Sequence, residues 1–250
     1  MAVINNNINN KVGSGNSGAT NTLTVDNASD TASSISLVNI TVGGTTAGDA
    51  FETFTISGTT NWSQGVDNSV TGDPYVRSAS TALGTTNVMS VTTAGEINYP
   101  LQPAFFATLS AALVDVVGNS ATPYLIVYNN EIFDQNSDYN NATGNFTAPI
   151  SGRYQISAAP YVFTLTAAMT YGSTLLVASN RTLTGELVNI GGIRTIDVDN
   201  PDQTTLINSA LIDMDAADTV SNKVVVNGGA GATADIAGGT GSFFSGFLAC

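Results

Sequence analysis

The chain has 250 residues, of which 42% are hydrophobic and 10% are charged. It is therefore long and apolar enough to fill a core, but it carries far less charge than an ordinary globular domain. Its net charge of −13 repels phosphate backbones and argues against a nucleic-acid partner. Because it contains no histidine, Ser-His-Asp and Cys-His catalysis and histidine-ligated zinc are excluded.

Residues 1–20 are predicted to form an N-terminal arm. The segment MAVINNNINNKVGSGNSG combines asparagine clusters with apolar Val3, Ile4 and Ile8, and it ends in a glycine- and serine-rich hinge. It has no basic region followed by an apolar run, so no secretory signal is expected. The apolar residues favour an anchoring arm that docks onto a larger assembly, and a frayed terminus is the alternative.

Residues 21–100 are predicted to form a β spacer domain. Short runs such as FETFTIS and NVMSV, rich in Thr, Val, Ile and aromatic residues, alternate with Gly, Asn and Asp turn signals. Trp62, the only tryptophan, is interpreted as a core residue rather than a sugar-stacking platform. The two prolines in Tyr99–Pro103 predict a joint with the next domain.

Residues 101–250 are predicted to form an all-β head. The segment AFFATLSAAL is compatible with either a helix or an alternating strand, and the later runs, such as PYLIVYNNEIF and NKVVVNGG, read as strands. Eight or more strands with regular turn signals imply a sandwich or jelly roll. The one cysteine, Cys250, cannot form an intrachain disulfide, so stability must come from packing or assembly. No stretch is long enough for a transmembrane helix, and membrane insertion is not expected.

Four segments of the head follow one another in the strand order of a known family. They are QPAFFATLS, NNEIFDQNSDYNNATGNFTAPISGRYQIS, DMDAADTV and GSFFSGFLA. Together they resemble the globular head of the complement C1q family, which shares its fold with tumour necrosis factor. The second segment carries the family framework at Phe133, Asp134, Tyr139, Gly144, Phe146, Pro149, Gly152 and Tyr154. The stretch 171–203 departs from the pattern, and no collagen repeat precedes the head.

The resemblance implies a C1q-like jelly roll that assembles as a homotrimer. The head also has more large apolar side chains than one sandwich readily buries, and a closed three-fold arrangement would cover them. Phe244 is one of these surplus side chains. The predicted trimer interface consists of Tyr124, Tyr128, Tyr161, Phe163, Phe243 and Phe247.

The best metal candidate lies in IDVDNPDQ. Asp197 and Asp199 share one face of a strand, and the Asn-Pro turn could bring Asp202 beside them, so these hard oxygen ligands suit calcium. Some heads of the resembled family bind calcium, and a solvated acidic loop is the alternative. No other cofactor is predicted. No carboxylate pair lies in an aromatic-rich cleft motif, so the chain is not expected to be an enzyme.

The segments NWSQGVDNS and VMSVTTAGEINYP resemble spacer sequences that precede terminal heads in phage fibre proteins. With the missing export signal, this implies a structural protein of a bacteriophage virion surface, assembled in the host cytoplasm. The arm would anchor a capsid decoration protein, or a head or tail fibre, to the major capsid protein or a tail component. The alternatives are a receptor-binding tail-fibre adhesin for host surface glycan or protein, and a secreted C1q-like lectin.

Overall fold

The computed structural model describes residues 37–43, 48–118, 122–166, 168–179 and 203–250. These residues contain nineteen β-strands and no helix, and every strand pairing is antiparallel. The predicted all-β class is confirmed. The anchoring residues Val3, Ile4 and Ile8 and the aspartates Asp197, Asp199 and Asp202 lie outside the described residues.

The first five strands form one antiparallel meander in the order β1-β2-β3-β4-β5. Gly58, at φ 81°, allows the tight turn between β1 and β2, in which the Thr59 N–H donates to the Ile56 carbonyl at 3.0 Å. The strands are β1 (Ala50–Ile56), β2 (Thr60–Val66), β3 (Tyr75–Ser78), β4 (Asn87–Val91) and β5 (Ile97–Asn98).

One face of this meander is covered by its own loops. Ser63, Val76 and Ser78 are buried there, and the Gly84 N–H donates to Ser78 Oγ at 3.1 Å. Trp62 points to the opposite face, where it is 37% exposed and pairs directly with Phe54. The prediction of Trp62 as a core residue is therefore wrong, because the two-residue period of β2 puts it on the face that Ser63 does not share.

The segment between the meander and the head is held by side chains of the head. Gln135 Nε2 donates to the carbonyls of Tyr99 and Gln102 at 2.7 and 2.8 Å, and Asn136 Nδ2 donates to the Leu101 carbonyl at 3.0 Å. The Gln102 N–H closes a turn onto the Tyr99 carbonyl at 3.0 Å. These bonds fix the path of residues 99–102 against the turn that follows Phe133.

The head contains three antiparallel sheets. A five-stranded sheet has the order β16-β12-β19-β6-β9, a second has the order β10-β11-β17-β14 with β8 paired to β17, and a four-stranded sheet has the order β15-β13-β18-β7. AFFATL forms strand β6, which settles the helix-or-strand alternative in favour of the strand. The strands are β6 (Ala104–Leu109), β7 (Leu113–Val116), β8 (Tyr124–Leu125), β9 (Asn130–Asp134), β10 (Tyr139–Asn140), β11 (Asn145–Thr147), β12 (Gly152–Ala159), β13 (Tyr161–Phe163), β14 (Met169–Ala178), β15 (Thr204–Thr205), β16 (Asn208–Met214), β17 (Thr219–Gly228), β18 (Ala234–Ile236) and β19 (Gly239–Leu248).

Aromatic rings fill the centre of the head. Phe105 stacks on Tyr139 and Phe146 at centroid distances of 4.9 and 5.0 Å and meets Phe244 edge-on at 5.0 Å. Such pairs add to the stabilisation from burial alone. Gly246 lies beside them, where a Cβ would come within 2.5 Å of Ile156 Cδ1 and 2.9 Å of Phe105 Cε1. The rings therefore need a residue without a side chain at this position.

A buried hydrogen-bond network joins strands β10, β14 and β17 of the second five-stranded sheet to the loop before β9. Tyr128 donates through its hydroxyl to Asn222 Oδ1 at 2.8 Å, and Asn222 Nδ2 donates to Thr174 Oγ1 at 2.7 Å and to the Leu175 carbonyl at 2.9 Å. Tyr139 donates to the Tyr128 carbonyl at 2.9 Å. Burial raises the pKa of Tyr128 well above its ordinary value, so this hydroxyl stays a donor.

The turn between β9 and β10 brings two carboxyl groups together. Asp134 accepts hydrogen bonds from the backbone N–H groups of Asp138 and Tyr139 at 3.1 and 2.9 Å. Asp138 Oδ2 is buried and has no hydrogen-bond partner among the described residues. Burial, and then the charge of Asp134, raise the pKa of Asp138 to about 6.

We predict that Asn222→Ala lowers the free energy of unfolding by about 3 kcal/mol, because it leaves the buried Tyr128 hydroxyl without its acceptor and removes the amide donor to Thr174 Oγ1 and the Leu175 carbonyl. Urea denaturation measures this change. Asn61→Ala, on the exposed part of β2, is the control and is expected to change it by less than about 0.5 kcal/mol. Equal effects of the two variants would contradict the assignment of the network.

We predict that the charge of Asp138 makes stability fall as the pH rises. Its pKa is about 6 in the folded chain against an ordinary value of 3.8, so the folded state binds the extra proton between these values. Asp138→Asn is expected to raise the free energy of unfolding near neutral pH by about 1 kcal/mol, after allowance for solvent screening. The substitution should also reduce the fall in the free energy of unfolding as the pH rises. Urea denaturation at several pH values tests this, and parallel curves for variant and wild type would contradict it.

Candidate assembly interface

The five-stranded sheet β16-β12-β19-β6-β9 buries one face in the core and turns the other face outward. Along β12, Tyr154, Ile156 and Ala158 are buried in the core, and the residues between them point away from it. Along β19 the same alternation buries Phe244 and turns its neighbour Phe243 outward. Since successive side chains on a strand point to opposite faces, the second face of the sheet cannot contribute to the core of this chain.

Three phenylalanines form a stack across the outward face. Phe133 of β9 is the register partner of Phe106 of β6, and their ring centroids are 6.3 Å apart. Phe106 in turn stacks on Phe243 of β19 at 5.4 Å. Phe133 remains 50% exposed at the end of the stack. The strands thus place an uncovered aromatic ladder on the surface of the single chain.

A second row continues the apolar surface across the sheet. Leu211 of β16 and Phe247 of β19 are both register partners of Gln155 and are 55% and 50% exposed. We define the assembly face as the outward residues Phe106, Phe133, Leu211, Phe243 and Phe247. Exposed apolar groups in such a contiguous patch mark an interaction surface more often than a solvent-facing one.

The polar groups of the assembly face are paired or uncharged. Ser157 and Ser209 are linked through their hydroxyls at 2.7 Å, and Gln155 Nε2 donates to Ser209 Oγ at 2.8 Å. At one end Arg153 lies 3.9 Å from Asp213, and both side chains are exposed. An exposed pair of this kind contributes little to stability, but it keeps the net charge of this part of the face at zero.

The predicted interface residues divide into three groups. Phe243 and Phe247 lie on the assembly face. Tyr128 is fully buried in the core of the single chain, and so is Phe244. Neither has surface to offer a partner, so the predicted interface role of Tyr128 is wrong, and the interior of one sandwich accommodates both rings.

The remaining predicted residues lie elsewhere in the head. Tyr124 of β8 packs against the core and pairs in the sheet on the other side of the sandwich. Tyr161 and Phe163 of β13 stack on one another at 6.2 Å, and the Tyr161 hydroxyl bonds Gln203 Oε1. The assembly face instead includes Phe106, Phe133 and Leu211, which sequence reasoning did not assign to an interface. A signal for Phe106 was present, since adjacent Phe105 and Phe106 cannot face the same side of a strand.

The described ranges contain no group of three or more Asp, Glu, Cys or His side chains placed to hold a metal ion. No helix there is long and apolar enough to cross a membrane.

These features define a jelly-roll head with one apolar sheet face turned outward. A family model described as "C1q domain" matches residues 104–249, and the chain belongs to this family. The predicted resemblance of the head to C1q is thereby confirmed. The match begins at residue 104, so it lends no support to the predicted likeness of the N-terminal half to phage fibre spacers.

Solved structures with the same fold include complement and cytokine heads. The globular domain of zebrafish complement 1qA is 17% identical, with a TM-score of 0.43 over 60% of this chain and 98% of that one. Eiger TNF from S. frugiperda is 15% identical, with a TM-score of 0.41 over 60% and 92% of the two chains. Murine APRIL is 9% identical, with a TM-score of 0.42 over 59% and 98%. A comparison with curated proteins gave no match.

Proposed function

We propose that the chain is a homotrimeric, non-enzymatic structural protein of a bacteriophage virion surface, with its C1q head facing outward. The observation that carries the trimer is the assembly face. Its five apolar side chains lie on one face of one sheet, where Phe133, Leu211 and Phe247 are at least 50% exposed and Phe106 and Phe243 are half-buried. Membership of the C1q family agrees with assembly through such a sheet.

Three-fold closure explains why one face of one sheet is apolar. In a ring of three copies the patch of each chain meets its neighbours, and the rotation closes without leaving an open end that would polymerise. The low charge of the face removes the main obstacle, since copies of a chain with net charge −13 otherwise repel one another. Burial of exposed phenylalanine and leucine side chains would stabilise the trimer by roughly 1.5–3 kcal/mol for each one fully covered.

The place of the protein on a virion is supported by the sequence. The order of the segments suits display on a particle: the apolar arm with Val3, Ile4 and Ile8 would anchor the chain, the β spacer would raise it, and the head would be displayed. The proposed partner of the arm is the major capsid protein or a tail component. A capsid decoration protein or head fibre and a receptor-binding tail fibre are distinguished by location, because the arm grips the shell in the first case and the tail in the second.

Substitution of the assembly face tests the trimer. Phe247→Asp and Leu211→Asp each place a charge on the assembly face and are expected to convert the trimer to monomer, because burying an unpaired carboxylate is strongly unfavourable. Light scattering during size-exclusion chromatography measures the mass. Val114→Asp is the control, as Val114 is an exposed strand residue of the four-stranded sheet. A trimer that survives both substitutions would remove the assembly face from the proposal.

Deletion of residues 2–18 tests the anchoring arm. The shortened chain is expected to remain a soluble trimer and to lose its association with purified particles, measured by co-sedimentation. Antibody labelling of the wild-type protein on particles then gives its location: label over the shell supports decoration or a head fibre, and label on the tail supports a receptor-binding fibre. Retained association of the shortened chain would disprove the anchoring role.

A further inference from the structure

The N-terminal meander exposes an apolar face of its own. Register places Ala50, Val66, Tyr75, Val91 and Ile97 in a single row that crosses all five strands. Phe54, Ile56 and Trp62 lie on the same side, because they are an even number of residues from members of that row. We define the spacer face as Phe54, Ile56, Trp62, Val66, Tyr75 and Ile97.

The two faces of the meander differ sharply in cover. On one side Val76 and Ser78 are almost completely buried under the loop that contains Leu83 and Gly84. On the spacer face Ile56 is 67% exposed and Phe54 is 53% exposed. Within the described part of the chain, Val38 and Ile40 approach one end of this face, where they line a groove with Glu52, Gln64, Val66 and Tyr75. A patch of this size on an otherwise polar, acidic chain indicates a surface that is covered in the assembled protein.

The charges of the spacer face suit another copy of the same chain. Its polar row consists of Glu52, Gln64 and Arg77, which are successive register partners, so the row is neutral on a chain of net charge −13. Gln64 Nε2 donates to Glu52 at 2.5 Å, and Arg77 has no ion-pair partner among the residues described. When such faces meet, Arg77 of one copy can approach Glu52 of the next, and like-charge repulsion is avoided.

The joint connects the spacer face to the assembly face. Ile97, Tyr99 and Leu101 are exposed apolar residues along the joint. Gln135 and Asn136 follow shortly after Phe133 of the assembly face. Their side chains donate hydrogen bonds to the backbone of residues 99–102 and so hold the joint beside that face. If three heads associate, the short tether keeps three meanders together at high effective concentration, so a weak contact between them becomes sufficient.

We infer that the spacer face is a second self-association surface, covered by the meanders of neighbouring copies within the trimer. This inference rests on the proposed trimer of heads. A glycan fits the face less well, because Ile56, Val66 and Ile97 offer no hydrogen bonds to hydroxyl groups. Two surfaces, one in each half of the chain, would then hold the same assembly.

Trp62 provides the readout, since it is the only tryptophan among the 250 residues. In the wild-type trimer we expect blue-shifted emission and acrylamide quenching roughly threefold weaker than in the monomeric Phe247→Asp chain. Leu211→Asp serves as a second route to the monomer if Phe247→Asp aggregates. Light scattering on the same samples reports the mass, so loss of the trimer and exposure of Trp62 are recorded separately.

A pair of variants on β1 localises the effect. Ile56→Asp adds a charge to the spacer face, whereas Thr55→Asp adds it to the neighbouring exposed position that points to the other side. We expect Ile56→Asp to expose Trp62 in a chain that remains trimeric through its heads, and Thr55→Asp to leave the quenching unchanged.

The outcomes separate the two proposals. A wild-type trimer in which Trp62 is quenched as readily as in the monomer overturns the second surface and leaves the trimer of heads intact. A wild-type monomer with exposed Trp62 overturns both. A trimer whose exposed Trp62 changes its emission on addition of oligosaccharides overturns self-association in favour of a sugar platform.

Discussion

Adjacent phenylalanines on a β-strand cannot enter the same core, and this constraint governs the head. Phe105 and Phe106 are neighbours on β6, and Phe243 and Phe244 are neighbours on β19. Phe105 and Phe244 meet in the interior at 5.0 Å, so Phe106 and Phe243 must turn outward, where they stack at 5.4 Å. The core of one chain and its exposed apolar face are therefore two consequences of the same strand pairing.

Polar groups are paired in different ways in the interior and on the outward face. Inside the sandwich, Tyr128, Asn222 and Thr174 form a closed network, because an unpaired polar group in the core is costly. On the assembly face, serine hydroxyls bond one another and Arg153 balances Asp213, so the surface stays wettable without gaining charge. This combination suits a surface that is exposed during folding and covered afterwards. The meander repeats the pattern, with its own buried face, its own neutral polar row and an open apolar row.

Most of the fold could be predicted because it depends on local patterns. Turn signals between β-prone runs indicated an all-β chain, and the framework around Phe146 and Tyr154 indicated a C1q head, which the family match at residues 104–249 confirms. The candidate interface could be predicted only in part. Large apolar side chains identify themselves in a sequence, but whether each is buried by its own chain depends on which strands pair. Tyr128 was assigned to an interface and lies in the core, whereas Phe106, Phe133 and Leu211 were not assigned and lie on the face.

The sequence by itself determined the class of fold, the position of the head and the excess of apolar side chains, since composition and alternation along a strand are properties of the chain alone. It also excluded every chemistry that requires histidine. Only the tertiary structure decided which face of each strand is inside. The absolute sense of an alternating pattern is fixed by pairing between residues far apart in sequence, such as Phe106 with Phe133 and Tyr75 with Val91. For that reason Trp62, which was expected in the core as a large aromatic residue, lies instead on the open face of the meander.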